Sequence, residues 1–307
     1  MGFYFANKNK CIFLFAGLFM TAMVLFPQVT ELGTKSAILI WANAIVPVLL
    51  PFYIFADFMK RMGYLEKLPP GIYAFFTAFL SGYPMGAKVT GDLVSGKVIS
   101  AEQGKVVLSY AMVTGPGFLF GAVGEFLGST LAAGVVCAAH YGGAMLNGLL
   151  WSMGNRPAKS LFPAEHRAER EVFHPQGTLE SFTLSILAGF RAMALILAYL
   201  MFFLIGIQFL EETGILFWTE SEMLRGILKG VLEMTAGVNA IGLCSTSMQK
   251  KIVISSVLVS FGGLSVLGQS ASMAAGSGIR ASEILTRKAT HGMLAGILAV
   301  ILVRVVI

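Results

Sequence analysis

The chain has 307 residues, of which 56% are hydrophobic and only 12% charged, a balance that excludes a soluble globular domain and places the protein in a bilayer. Its formal net charge of +6 is spread over short connectors with no aromatic-laced basic patch, so no nucleic-acid partner is expected. The cysteines, Cys11, Cys137 and Cys244, stand apart in apolar segments without CxxC spacing, which excludes a disulfide framework and a zinc site.

Lys8 and Lys10 precede an apolar run over about residues 11–28. The pattern resembles a signal peptide, but no small-x-small cleavage site follows, so the run is expected to remain as a first span. A second span covers about 37–59, interrupted by Asn43, Pro47 and Pro51, and a basic connector with Lys60, Arg61 and Lys67 follows it. Such runs reach or approach the ~20 apolar residues needed to cross about 30 Å of hydrocarbon.

Residues of about 71–95 are too short and too broken for two crossings. Two glycines and a proline in Ser81-Gly82-Tyr83-Pro84-Met85-Gly86 deny the backbone a continuous helix, and the segment is expected to be a re-entrant hairpin with this motif at its tip. The next span, about 104–127, carries a second break at Thr114-Gly115-Pro116-Gly117. A further span over about 129–151 contains His140-Tyr141. Residues 153–178, with Arg156, Lys159, Arg167 and Arg170, form a hydrophilic connector between two halves.

The second half replays the first. A long span over about 180–210 leads to a hairpin over about 223–245 with Glu233, Thr235, Gly237 and Asn239. A broken span over about 250–275 then carries Ser260-Phe261-Gly262-Gly263-Leu264-Ser265 and Gln269, and a last span covers about 289–306. The expected fold is an all-α polytopic membrane protein: an N-terminal span and loop (1–36), a first repeat (37–152), a connector (153–178) and a second repeat (179–307). Each repeat crosses an odd number of times, so the two are expected to be inverted. Seven full spans and two re-entrant hairpins result. Most connector lysines and arginines then fall on the side of the N-terminus, which makes it cytoplasmic, and Glu211, Glu212, Glu220 and Glu222 fall on the other.

Interrupted segments in corresponding positions of two halves point to a transport site at the midplane, where half-helix N-termini offer free N–H groups to an anion. The candidate substrate-binding residues are Ser81, Gly82, Tyr83, Pro84, Thr114, Gly115, Pro116 and Gly117 in one half, and Glu233, Thr235, Gly237, Asn239, Ser260, Gly262, Gly263, Ser265 and Gln269 in the other. Lys88 and Arg191 are candidates for a full positive charge; each can equally be an ordinary charge of the inner interface, Arg191 by snorkelling. Glu233 can bind a cation, exchange a proton or hydrogen-bond a substrate; it can equally be a buried carboxylate tied to the N–H groups of the hairpin. No His-Glu-x-x-His, Gly-x-Ser-x-Gly or nucleotide loop occurs, so no catalytic residue, metal or cofactor is expected, and the coupling ion is not legible.

The motifs Ser81-Gly82-Tyr83-Pro84-Met85-Gly86-Ala87-Lys88, Phe118-Leu119-Phe120-Gly121-Ala122-Val123, His140-Tyr141, Glu233-Met234-Thr235-Ala236-Gly237 and Ser260 to Val266 with Gln269 resemble the sporulation integral membrane protein YlbJ (SpoVV) family. The likeness runs over about residues 40–300. It implies nucleoside-recognition (Gate) domains, a layout similar to concentrative nucleoside transporters, and with that a homo-oligomer. It also implies transport of dipicolinic acid, a small anionic substrate, across the outer forespore membrane. The family pattern often has an asparagine where this chain has Met112. Alternatives are transport of a nucleoside or another small metabolite, or a non-transporting assembly or signalling role in sporulation.

Overall fold

The computed structural model describes residues 2–63, 68–154 and 177–306, and every regular element among them is helical. Among the described residues six helices are long and apolar enough to cross a bilayer: Pro27–Arg61, Ala101–Leu127, Thr130–Gly154, Thr178–Glu212, Met248–Met273 and Ala281–Val306. The protein is an all-α polytopic membrane protein. The expected first span corresponds to α1 (Gly2–Leu25), whose apolar part, Ile12–Leu25, is shorter than the other six.

The loop expected before residue 37 is helix instead. Pro27 occupies the first turn of α2 (Pro27–Ile40), where its missing N–H costs nothing, and Glu31 and Lys35 pair one turn apart at 2.5 Å. A π turn at Trp41–Ile45 then joins α2 to α3 (Val46–Arg61). Pro47 falls in the first turn after that change of register, which is how the rod survives it.

The first hairpin consists of α4 (Pro70–Ser81) and α5 (Met85–Ser95). Gly82 at φ 72° and a cis peptide bond at Tyr83-Pro84 form its tip. A capping box between Ser100 and Gln103 starts α6 (Ala101–Ala111). After the break at 112–115 the helix resumes as α7 (Pro116–Phe118), a π turn at Leu119–Val123 and α8 (Gly124–Leu127), followed by α9 (Thr130–Gly154).

The second half contains α10 (Thr178–Glu212), a short 3-10 turn at Ile215–Trp218, α11 (Glu222–Leu232), α12 (Met234–Leu243), α13 (Met248–Phe261), α14 (Gly263–Met273) and α15 (Ala281–Val306). Only Glu233 separates α11 from α12, and only Gly262 separates α13 from α14. The last helix therefore begins well before the expected residue 289. Most of the expected connector, with Arg156, Lys159, Arg167 and Arg170, lies outside the described residues, as does Lys67.

The sequence long helix, hairpin, interrupted helix, long helix thus occurs in each half. α9 packs on α13 and α15, while α10 packs on α2 and α3. Small residues let backbones approach: a Cβ at Gly143 would stand 2.9 Å from Ala295 Cα, the close crossing that membrane helices favour. Gly117 and Gly121, four residues apart, face Val48 of α3, whereas Gly128, four residues after Gly124, is a left-handed C-cap with open space around it.

The hairpins are also clasped reciprocally. Gly91 of α5 lies against the end of α14, where an added Cβ would be 3.0 Å from Ala274 Cα, and Gly242 of α12 lies against α8, where a Cβ would collide with the Phe126 carbonyl.

Candidate functional site

Each hairpin tip meets the interruption of its own half, backbone to backbone. A Cβ on Gly82 would lie 3.3 Å from Gly115 N, and one on Gly263 would lie 2.9 Å from Gly230 O and 3.0 Å from Met234 N. Gly263 also has a φ of 71° and Gly262 one of 85°, a region open to glycine at little cost. The need for glycine at these positions is thus both conformational and steric.

Between the two tip-and-break pairs lies a cavity of about 40 Å³. Its wall carries Tyr83, Thr114, Glu233, Thr235, Ser265 and Gln269, with Phe118 and several aliphatic side chains completing it. Glu233 is 4% exposed. It caps α12, its Oε2 accepting from Ala236 N at 2.7 Å, and Ser265 Oγ donates toward Oε1 at 3.5 Å. A carboxylate therefore already occupies the N-terminal end of α12, where the helix dipole favours negative charge.

Other expected site residues have different places. Ser260 is buried and pairs with His140. Ser81 ends α4, and Pro84 with its cis bond precedes α5. Gly115 and Pro116 form the N-terminus of α7. Gly117 serves the contact with α3, and Gly237 packs on the Gly230 backbone inside the second hairpin. Asn239 is half-buried and away from the cavity wall. Lys88 and Arg191 also stand apart from it: with Arg61 they line a separate groove of about 440 Å³, and Lys88 pairs with Asp92 at 2.8 Å.

The two halves are bridged by long polar side chains. His140, fully buried on α9, accepts from Thr114 N at Nε2 (3.1 Å) and has Nδ1 2.8 Å from Ser260 Oγ. Because Nε2 accepts an amide proton, the ring is neutral and Nδ1 carries its hydrogen toward the serine. Tyr141 Oη donates to Thr114 O at 2.7 Å, so both backbone groups at the first break are satisfied. Lys288 Nζ donates to Tyr83 Oη at 2.5 Å and to Met112 O at 3.2 Å, and Tyr83 Oη donates to Val259 O at 3.1 Å. His291 Nε2 lies 2.9 Å from His140 O.

Lys288, His291 and Arg287 are buried, and sequence reasoning placed none of them at the centre. The signal was present in the spacing. Counting back from Ala299 through Ala295, Gly292 and His291, the small buried positions of α15 continue to Lys288 and Ile284 on one face.

No protein-family model matches the chain, and no solved structure matches it. The chain is 25% identical to the sporulation integral membrane protein YlbJ of Bacillus subtilis (strain 168), over 93% of its own length and 80% of that protein's. The similarity runs through both halves of this polytopic helical membrane protein.

Proposed function

We propose that the protein is a membrane transporter of a small organic anion, dipicolinate, and that it works by alternating access around the cavity between the hairpin tips. One observation carries the reading: four helix interruptions surround one cavity, and polar side chains from both halves stand on its otherwise apolar wall. In hydrocarbon an interrupted backbone persists only where protein buries it or it lines a cavity. The depth fits as well. α6 runs for 11 residues before its break and α13 for 14, about 16 and 21 Å of rise in a core of about 30 Å.

Inverted halves, with the N-terminus cytoplasmic, follow from the repeated order of elements and the placement of basic connectors. At about 40 Å³ the cavity is far below the roughly 300–1,000 Å³ of ordinary ligand pockets, so the tips part to admit a substrate. Tyr83 and Phe118, both on its wall, supply aromatic faces for a planar ring. With Lys88 and Arg191 elsewhere and the N-terminus of α12 capped by Glu233, neutralising the carboxylates falls to the remaining helix N-termini at the breaks, each worth roughly half a positive charge. The sporulation setting and the outer forespore membrane come from the family resemblance.

A second reading is favoured by Glu233: a carboxylate on a wall that also carries Thr235 and Gln269 suits a neutral ligand with several hydrogen-bonding groups, such as a nucleoside. Uptake into liposomes holding the purified protein separates the two. Dipicolinate that enters unchanged and is not competed by uridine supports the anion reading; uridine uptake indifferent to dipicolinate refutes it. A chemically altered ligand would instead indicate an enzyme.

A further inference from the structure

Among the described residues Lys288 is the one lysine that is buried, at 2% exposure, and its ammonium contacts a phenol and a backbone carbonyl, with no carboxylate of those residues in ion-pair distance. Burying an ammonium group without a counter-charge is costly, and a methionine would fill the space at no such cost. Its surroundings supply the compensation in another form.

Met112, whose carbonyl accepts from Nζ at 3.2 Å, is the C-cap of α6. Val259, whose carbonyl accepts from the Tyr83 hydroxyl that Lys288 contacts, lies in the last turn of α13, before its C-cap Gly262. A Cβ on Gly262 would be 3.4 Å from Lys288 Cε. The ammonium lies 4.2 Å from the centroid of the Tyr83 ring, beside its hydroxyl. The last carbonyls of a helix lack partners, and each C-terminal end carries about half a negative charge. Two such ends and a phenol oxygen compose a cation site of the kind that broken helices offer to a free sodium ion or proton.

We propose that Lys288 is the resident cation of this site, and that its proton, rather than free sodium, is the coupling ion of the transport proposed above; this inference rests on that reading of the function. Loss of the proton to water admitted beside α15 leaves a neutral amine, which keeps two N–H donors but no charge, so the negative helix ends hold it less tightly. The first hairpin, tied through Tyr83 to Lys288 and Val259, is then free to leave. The closed arrangement is the protonated one. The titratable groups around the amine are Tyr83 from the hairpin, His140 from α9 and His291 from α15 itself, whose rings lie 4.9 Å apart, with Glu233 of α12 on the cavity beyond Tyr83.

Two measurements on purified protein in lipid nanodiscs or liposomes test this. The first needs no substrate. Exchange of sodium for choline chloride is expected to leave the melting temperature of the wild type unchanged, while Lys288→Ala, with the site vacated, is expected to melt higher in sodium or ethylammonium than in choline. Identical salt responses of the two proteins overturn the cation site. Should Lys288→Ala not fold, Tyr83→Phe, which removes the phenol oxygen that accepts from Nζ, is expected to change the pH dependence of melting; a pH profile of melting identical to that of the wild type has the same overturning force. The second is dipicolinate uptake in sodium-free liposomes. A pH gradient is expected to drive it in the wild type, and Lys288→Met is expected to lose that dependence. Uptake driven by sodium alone overturns the coupling assignment. Failure of the wild type to move dipicolinate under any gradient removes the transport reading, and with it the coupling, while the melting comparison still decides whether Lys288 fills a cation site.

Discussion

Replacing His140 with leucine tests whether one ring holds the two interruptions in register. The ring is fully buried, its Nε2 accepts from Thr114 N at 3.1 Å and its Nδ1 reaches Ser260 Oγ at 2.8 Å. Leucine fills similar space with no polar atom. It orphans the Thr114 amide, 3% exposed, and the Ser260 hydroxyl, fully buried. An orphaned buried donor costs about 1–3 kcal/mol and a lost hydrogen bond about 0.5–1.5, together about 2–4 kcal/mol. Glutamine can still accept from the amide and donate to the serine, and is expected to cost less than half as much. Reversible unfolding in mixed micelles, with Ser260→Ala completing a double-mutant cycle, measures both terms. Leucine and glutamine variants of equal stability, or a cycle without coupling, would show that the ring does not join the breaks.

Gly263→Ala is expected to destabilise by about 2 kcal/mol or more, because its φ of 71° is left-handed and the new methyl would meet Gly230 O at 2.9 Å; the same micelle unfolding measures it, with Gly128→Ala, which meets nothing within 4 Å, as the control for φ alone. Glu233→Gln keeps a cap acceptor for α12 but removes a negative charge from the cavity wall. It is expected to tighten dipicolinate binding, measured calorimetrically, whereas weaker binding would mean that the carboxylate is itself a ligand. Lys88→Ala with Arg191→Ala empties the separate groove of two charges and is expected to slow dipicolinate uptake at low salt more than at high salt, with little change in affinity at saturation; equal slowing at both salt concentrations would assign these residues to the translocation step.

The interruptions were legible in the sequence because glycine and proline act on the backbone directly: Gly82, Pro84, Gly115, Pro116, Gly262 and Gly263 all mark real breaks. Glu233 was legible for a similar reason, as a lone carboxylate in an apolar segment. The bridging groups were not. Arg287 and Lys288 look like connector charges if the last span starts at residue 289, but α15 starts at Ala281, which carries Lys288 about 10 Å along the helix. Arg287 is accommodated by partners that only the fold brings to it, donating to Lys105 O at 2.6 Å and lying 4.3 Å over Trp151, together with Glu283 O of its own helix at 2.9 Å. Lys88 and Arg191 fail in the opposite sense: their charge suggested a site, and only the packing of α3, α5 and α10 shows that they share a groove away from the cavity. The loop expected before residue 37 was misjudged because Pro27 starts a helix here instead of ending one.

The reciprocal clasp of the hairpins carries a mechanical consequence. Gly91 sets α5 against the far end of α14, and Gly242 sets α12 against α8, so each hairpin bears on the interrupted helix of the opposite half with no side chain between to take up slack. A contact of bare backbones behaves like the teeth of two meshed wheels: displacement of one hairpin reaches the other half undiminished. In the transport proposed above, such gearing would close the gate on one face as the gate on the other yields, and would keep both faces from standing open together. Bulk introduced at either glycine would disengage the wheels, leaving two gates that leak independently.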